Sequence, residues 1–236
     1  GGTVSAGEKR QLAEAGIAAE SVDALISIAE SAALVRAQER RLRTTAQAED
    51  WLRSSVAERW SALVGGFVRS LPRGVATVGG GWVPPSAWPD AHPWDAGWPE
   101  RSAELIERAR LLGLLADDGS EPVWATPARD GRPVDATPLT GHLPSEVDRI
   151  FLQNDLSAIS PGPLAPALDV RLRTIAARES AAQASSYRFT AESIAHAFVV
   201  GETEQSILDF LGGISLTGIP QPLAYLITQT AGRHGL

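Results

Sequence analysis

The sequence predicts a mostly helical α+β protein, and three observations carry that expectation. Short apolar runs recur at helical spacing, several of them opened by Ser or Thr where an N-cap belongs. A few shorter runs alternate polar and large apolar residues, as half-buried strands do. Two stretches rich in Gly and Pro, 71–99 and 128–145, interrupt the periodic segments. These breaks divide the chain into three expected units, 1–73, 74–145 and 146–236.

At 236 residues there is room for one large domain or two to three small ones. The net charge of −7 gives no global attraction to nucleic acid or to an anionic membrane. The single lysine, Lys9, stands against twenty arginines, which reads as base-composition bias of the source genome. Cysteine is absent, which excludes a disulfide framework, a thiolate metal site and a Cys nucleophile. No apolar run approaches the ~20 residues of a spanning helix, so no membrane partner is expected and the cytoplasm is the simplest compartment. No signal peptide is visible, and the Gly1-Gly2 start suggests a cut chain.

In the first unit, Ser5 and Glu8 have the spacing of a capping box opening a helix over Ser5–Gly16. A second helix is predicted from Val22, Leu25, Ile26 and Ala29, followed by short strands around Leu34-Val35 and Leu42–Thr44. Helix, turn, helix, hairpin is the order of a winged-helix unit lacking its first helix, or of a generic helix pair with a hairpin. The second helix offers Glu20, Ser21, Asp23, Ser27 and Glu30 on its polar side, and none of the Arg, Lys, Asn or Gln that base readout uses. The hairpin is different: Arg36, Arg40, Arg41 and Arg43 fall within eight residues, diluted by Glu39. They are either a solvated face or a set of phosphate contacts. Helices over Gln47–Arg53 and Ala57–Ser70 bring Trp51, Trp60, Leu63, Val64 and Phe67 to close the core.

From 71 to 99, Pro and Gly interleave with Trp82, Trp88, Trp94 and Trp98. Four large rings predict an ordered connection draped on a domain rather than a free linker. A platform for stacking single-stranded bases is the functional alternative, against which stand Asp90, Asp95 and the lack of arginine between Gly74 and Glu100. A helix over Glu100–Leu112 precedes Leu114-Leu115, an Asp117-Asp118-Gly119 turn and Val123-Trp124, read as the hairpin of a second winged-helix-like unit. The calcium-loop spacing of oxygen ligands is absent from that turn.

The last unit opens with strand material at Val147, Ile150–Leu152, Leu156 and Ile159. Leu164, Leu168, Leu172 and Ile175 then mark one face of a helix. Arg171 and Arg178 share a side of that helix, with Arg173 nearly opposite. Tyr187–Phe189, which includes Arg188, alternates as a strand. Thr190 caps a helix with Ile194, Ala197 and Phe198 inward and Gly201 as its stop. Thr203 caps another with Ile207, Phe210 and Leu211 inward. Pro220 and Pro222 open a third, burying Leu223, Leu226 and Ile227.

The order Tyr187, Phe189-Thr190, Ser193-Ile194, Ala197, Gly201, Ile207, Phe210-Leu211, Ser215, Thr217–Pro220 and His234-Gly235 resembles the N-terminal domain of XPB-type DNA helicases, which also heads bacterial helicase-associated proteins. The resemblance reaches back through Arg149–Pro166 and covers roughly ninety residues, about 147–235. It implies a small XPB N-terminal-like α/β domain that engages DNA or regulates a helicase motor without catalysis. Winged helices followed by such a domain also resemble the partner subunit of that helicase in transcription and repair. In the family further strands follow the closing His-Gly. Here the expectation is therefore a sheet truncated at its C-terminus. It would have an open edge or a substitute strand, from another copy or from residues 114–125, and a chain extended past Leu236 would melt higher.

No G-x-x-x-x-G-K-[ST] loop is present to cradle ATP, so no motor is expected in this chain. His92, His142, His196 and His234 are never at metal-ligand spacing, and no nucleophile or hydride-transfer motif occurs. The reading is a non-catalytic accessory module without cofactor or metal, whose partners are DNA, a helicase motor, or both. A self-sufficient winged-helix DNA-binding protein and a pure interaction scaffold are the alternatives. The nucleic-acid contacts expected are Arg36, Arg40, Arg41, Arg43, Arg171, Arg178 and Arg188.

Overall fold

The computed structural model describes residues 4–14, 16–39, 41–181 and 184–234, in two units, 1–142 and 143–236. It is an α+β protein in which helices predominate.

The first unit starts with α1 (Ala6–Glu14), α2 (Val22–Ser31), the antiparallel pair β1 (Val35–Gln38) and β2 (Arg41–Thr44), α3 (Ala46–Arg53) and α4 (Val56–Arg69). Capping decides where the helices begin. Ser5 Oγ accepts the Glu8 N–H at 3.3 Å while the Glu8 carboxylate accepts the Ser5 N–H at 2.8 Å. Ser55 and Glu58 repeat the exchange at 3.2 and 2.9 Å to open α4. Of the residues expected inward on α2, Val22 is buried and Ile26 and Ala29 are half-buried, while Leu25 is exposed and Ile28 is buried in addition. The end of α2 lies close against α4, where a Cβ on Gly66 would fall 2.6 Å from the Ala32 Cα.

The sequence reading separates 1–73 from 74–145, but one core runs through both. Ile28, Val64 and Phe67 cluster with Val75, Trp82, Trp88 and Trp98, and with Leu105, Leu114 and Ala128 further on. The Pro/Trp stretch is ordered because its indoles bury their rings and satisfy their N–H groups. Trp88 donates to the Val83 carbonyl and Trp98 to the Trp88 carbonyl, both at 2.8 Å, and Trp82 donates to Glu121 at 2.7 Å. With those three rings buried and only Trp94 exposed, the stretch is not a stacking platform.

After α5 (Trp98–Leu111) the hairpin expected over 114–124 is absent. Ala116 N–H closes a turn on the Ser120 carbonyl at 2.9 Å, with Gly119 at φ 83°. Val123–Ala125 is a single 3₁₀ turn running into α6 (Thr126–Arg129). Pro127 sits in the first turn of α6, where its fixed φ suits a helix, so the chain after Pro122 turns helical instead of extending. A short α7 (Thr137–Thr140) follows.

The second unit contains β3 (Phe151–Leu152), β4 (Ser157–Ser160), α8 (Pro166–Ile175), β5 (Ala177–Ala181), β6 (Ser185–Arg188), α9 (Ala191–Val199), α10 (Glu204–Ile214) and α11 (Gln221–His234). The sheet order is β3-β4-β6-β5, antiparallel throughout. Its core gathers Ile150, Tyr187, Phe189, Ile194, Ile207, Leu211, Leu223 and Ile227. Thr190 accepts the Ser193 N–H at 3.0 Å and Thr203 the Ser206 N–H at 3.1 Å, with the serines reciprocating. Each reciprocal pair fixes a helix start.

The helix over 164–178 ends at Ile175, so Arg178 lies on β5 and shares no helix face with Arg171. All four strands come from residues 151–188: β5, which the sequence did not announce, pairs with β6, and β3 and β5 are the edge strands. The β3 flank is tied down by Thr217, whose hydroxyl accepts from the Leu152 N–H and donates to the Leu152 carbonyl, both at 3.0 Å. Among the described residues no helix is long and apolar enough to cross a membrane.

Candidate nucleic-acid interface

The hairpin register sets the chemistry of the first unit's basic segment. Arg36 lies opposite Arg43, and Gln38 opposite Arg41. Alternation along a strand then places Arg36, Gln38, Arg41 and Arg43 on one face, and Val35, Ala37, Leu42 and Thr44 on the other. All three arginines are exposed, and none has an ion pair or side-chain hydrogen bond among the described residues. Arg40 lies outside the described residues. Like charges directly opposite each other cost on the order of 0.2–1 kcal/mol, so the hairpin carries a local destabilisation that an anion would relieve.

The base of the hairpin is fixed. Thr45 N–H donates to the Leu34 carbonyl at 3.0 Å, and Thr45 Oγ1 donates to the Ala33 carbonyl at 2.7 Å. The same hydroxyl caps α3 by accepting the Ala48 N–H at 3.3 Å. Leu34 packs with Ala32 and Ala48 beneath. The two-residue loop at the tip holds Glu39 at φ 51°, the positive φ that tight hairpin loops use.

The polar side of α2 is engaged within its own unit. Asp23 pairs with Lys9 at 2.9 Å, and Ser27 Oγ accepts from Arg108 Nη1 at 2.9 Å. Burial pushes the Arg108 guanidinium down from its ordinary value. Glu20, Asp23, Glu104 and Glu107 line a cleft of about 400 Å³ between α2 and α5. Four carboxylates against the single Arg108 make this cleft acidic, which disfavours phosphate.

In the second unit each expected arginine meets a carboxylate. Arg171 grips Glu202 through two bonds of 2.8 and 2.9 Å, and its guanidinium lies 4.5 Å from the centre of the Phe210 ring. That grip holds the Glu202 carboxyl below the usual carboxylate range. Arg178 stands 3.6 Å from Asp169, and Arg188 bonds Glu179 at 3.0 Å and the Asp155 carbonyl at 2.8 Å. The charge of these three is balanced inside the unit, whereas Arg36, Arg41 and Arg43 have no ion pair among the described residues. Sequence reasoning missed Asp169, which accepts the Tyr187 hydroxyl at 2.6 Å and lies within 3.9 Å of Arg173. The Asp169/Arg173 spacing of four on a helix was the available signal.

Among the described residues no group of three or more His, Cys, Asp or Glu is placed to hold a metal. His92 instead sets Nε2 2.7 Å from the Arg73 carbonyl and packs edge-on to Trp98.

Residues 150–236 match the family described as the helicase conserved C-terminal domain. The match covers most of the second unit and well under half of the chain, and it supports a helicase-associated domain there. No curated protein matches the chain.

Proposed function

We propose that this chain is a non-catalytic accessory module of an XPB-type DNA helicase, in which the first unit is winged-helix-like and its β1–β2 hairpin is a wing that grips DNA phosphates. The observation that carries this reading is the one-sided arginine face, unpaired among the described residues, in a chain whose other unit matches a helicase domain. Guanidinium groups without base-reading neighbours favour backbone contact over sequence readout. The lack of a G-x-x-x-x-G-K-[ST] loop in this sequence supports a reading in which ATP turnover belongs to a partner or to another part of a parent protein.

Duplex and forked DNA titrated over a salt series test the reading. Replacing Arg36, Arg41 and Arg43 by Ala should lower the slope of log K against log salt by roughly 2 to 3, and weaken all sequences by a similar factor. An unchanged slope, or a sequence preference that survives the triple change, refutes it. The purified chain is also expected to hydrolyse no ATP with or without DNA. DNA-stimulated turnover that persists after contaminating ATPases are removed contradicts that expectation.

A further inference from the structure

We propose that a groove beside the end of α4 binds a nucleotide, with Arg69 and Arg132 holding its phosphate. The groove belongs to the first unit and has a volume of about 370 Å³, within the roughly 300–1,000 Å³ of small-molecule sites. Its walls include Gly65, Val68, Arg69, Gly131, Arg132 and Val134, and among the described residues no carboxylate lines it.

The charge of the lining selects an anion. Arg69 is exposed and has no ion pair among the described residues. Arg132 bonds Asp130 at 3.3 Å, a carboxylate that Arg129 also approaches at 3.1 Å while lying 3.8 Å from Glu121. Asp130 is therefore shared between two guanidinium groups. Planar guanidinium forks match the oxygens of a phosphate monoester, and Val68 and Val134 offer apolar surface to a sugar or base.

A second observation concerns Gly65. Glycine inside a helix is destabilising relative to alanine. Its neighbour Gly66 has a packing reason, since a Cβ there would strike the Ala32 backbone at 2.6 Å. A Cβ on Gly65 would meet only Arg69 Nη1, at 3.3 Å. Packing therefore leaves the missing side chain at Gly65 unexplained, and a ligand lying against the helix under the Arg69 guanidinium accounts for it.

This inference stands on residues separate from the hairpin, and its test keeps the two apart. AMP is titrated into the full chain by calorimetry, and a labelled oligothymidylate by fluorescence anisotropy. Arg69→Ala and Gly65→Leu are compared with the hairpin change Arg36→Ala/Arg43→Ala. AMP should bind saturably, weaken about tenfold or more with either groove change, and be untouched by the hairpin change. Gly65→Leu should not lower the melting temperature, because leucine is a stronger helix former. An oligonucleotide that binds tighter than AMP and depends on the same two residues identifies a strand as the source; AMP binding alone identifies a free nucleotide. The proposal is overturned if AMP shows no saturation and the oligonucleotide ignores both groove changes, or if AMP binding survives them.

Discussion

Gly81→Ala is expected to destabilise the first unit by about 3 kcal/mol or more, lowering its melting temperature by roughly 10 °C. A Cβ on Gly81 would sit 1.8 Å from the Arg129 carbonyl oxygen and 2.8 Å from the Gly131 nitrogen. Both are backbone atoms, held in place by the Trp82 N–H bond to the Arg129 carbonyl at 3.2 Å and by α6, so no rotamer change relieves the collision. The neighbouring Gly79 is the matched control, because a Cβ there meets nothing within 4 Å and Gly79→Ala should be nearly neutral. The readout is specific to this unit: all seven tryptophans lie between Trp51 and Trp124. A tryptophan fluorescence melt that leaves Gly81→Ala within a degree or two of Gly79→Ala sinks the argument.

How far the sequence foretold this structure depended on whether local chemistry or a distant partner sets an element. Thr190 and Thr203 are caps because of their own side chains, and the faces Ile194/Ala197/Phe198 and Ile207/Phe210/Leu211 follow from spacing alone. The hairpin at 35–44 was legible for the same reason. β5 was not: Ala177–Ala181 has no β-branched or aromatic residue and is a strand only because β6 pairs with it. The false hairpin at 114–124 shows the reverse error. Asp118-Gly119 does make its turn, but Val123–Ala125 on its far side folds into a 3₁₀ turn, and Leu114 and Leu115 on its near side are buried in the indole-rich core.

The candidate site divides along the same line. Four arginines in eight residues announce a basic segment, yet only the register shows that Arg36 and Arg43 oppose each other. Arg171 looked equally free in the sequence. Its partner Glu202 is 31 positions away, and only the packing of α8 brings the two together. Free and neutralised arginines look identical in the chain, so charge counting without contacts overstates an interface.

Tyr187→Ala is expected to cost the second unit about 3–5 kcal/mol, enough to unfold a domain of this size. Tyr187 is fully buried on β6, the central strand that bonds both β4 and β5, and its hydroxyl reaches Asp169 on α8 at 2.6 Å. The ring fills the core, and the hydroxyl ties helix to sheet. Tyr187→Phe keeps the ring and should lose only about 1 kcal/mol with the hydrogen bond. Burial, reinforced by the Asp169 bond, pushes the Tyr187 phenol well above its ordinary value of 10.0. The unfolded chain therefore gives up this proton more readily than the folded one. The resulting stability is complete below about pH 10 and is lost progressively as pH rises through the folded value. Hydrogen exchange at β6 and α9 should accelerate on the alkaline side in the native chain, and do so less steeply in Tyr187→Phe. Matching alkaline limbs in the two proteins, or a Tyr187→Ala chain that keeps native protection at β6, would show that this residue does not anchor the unit.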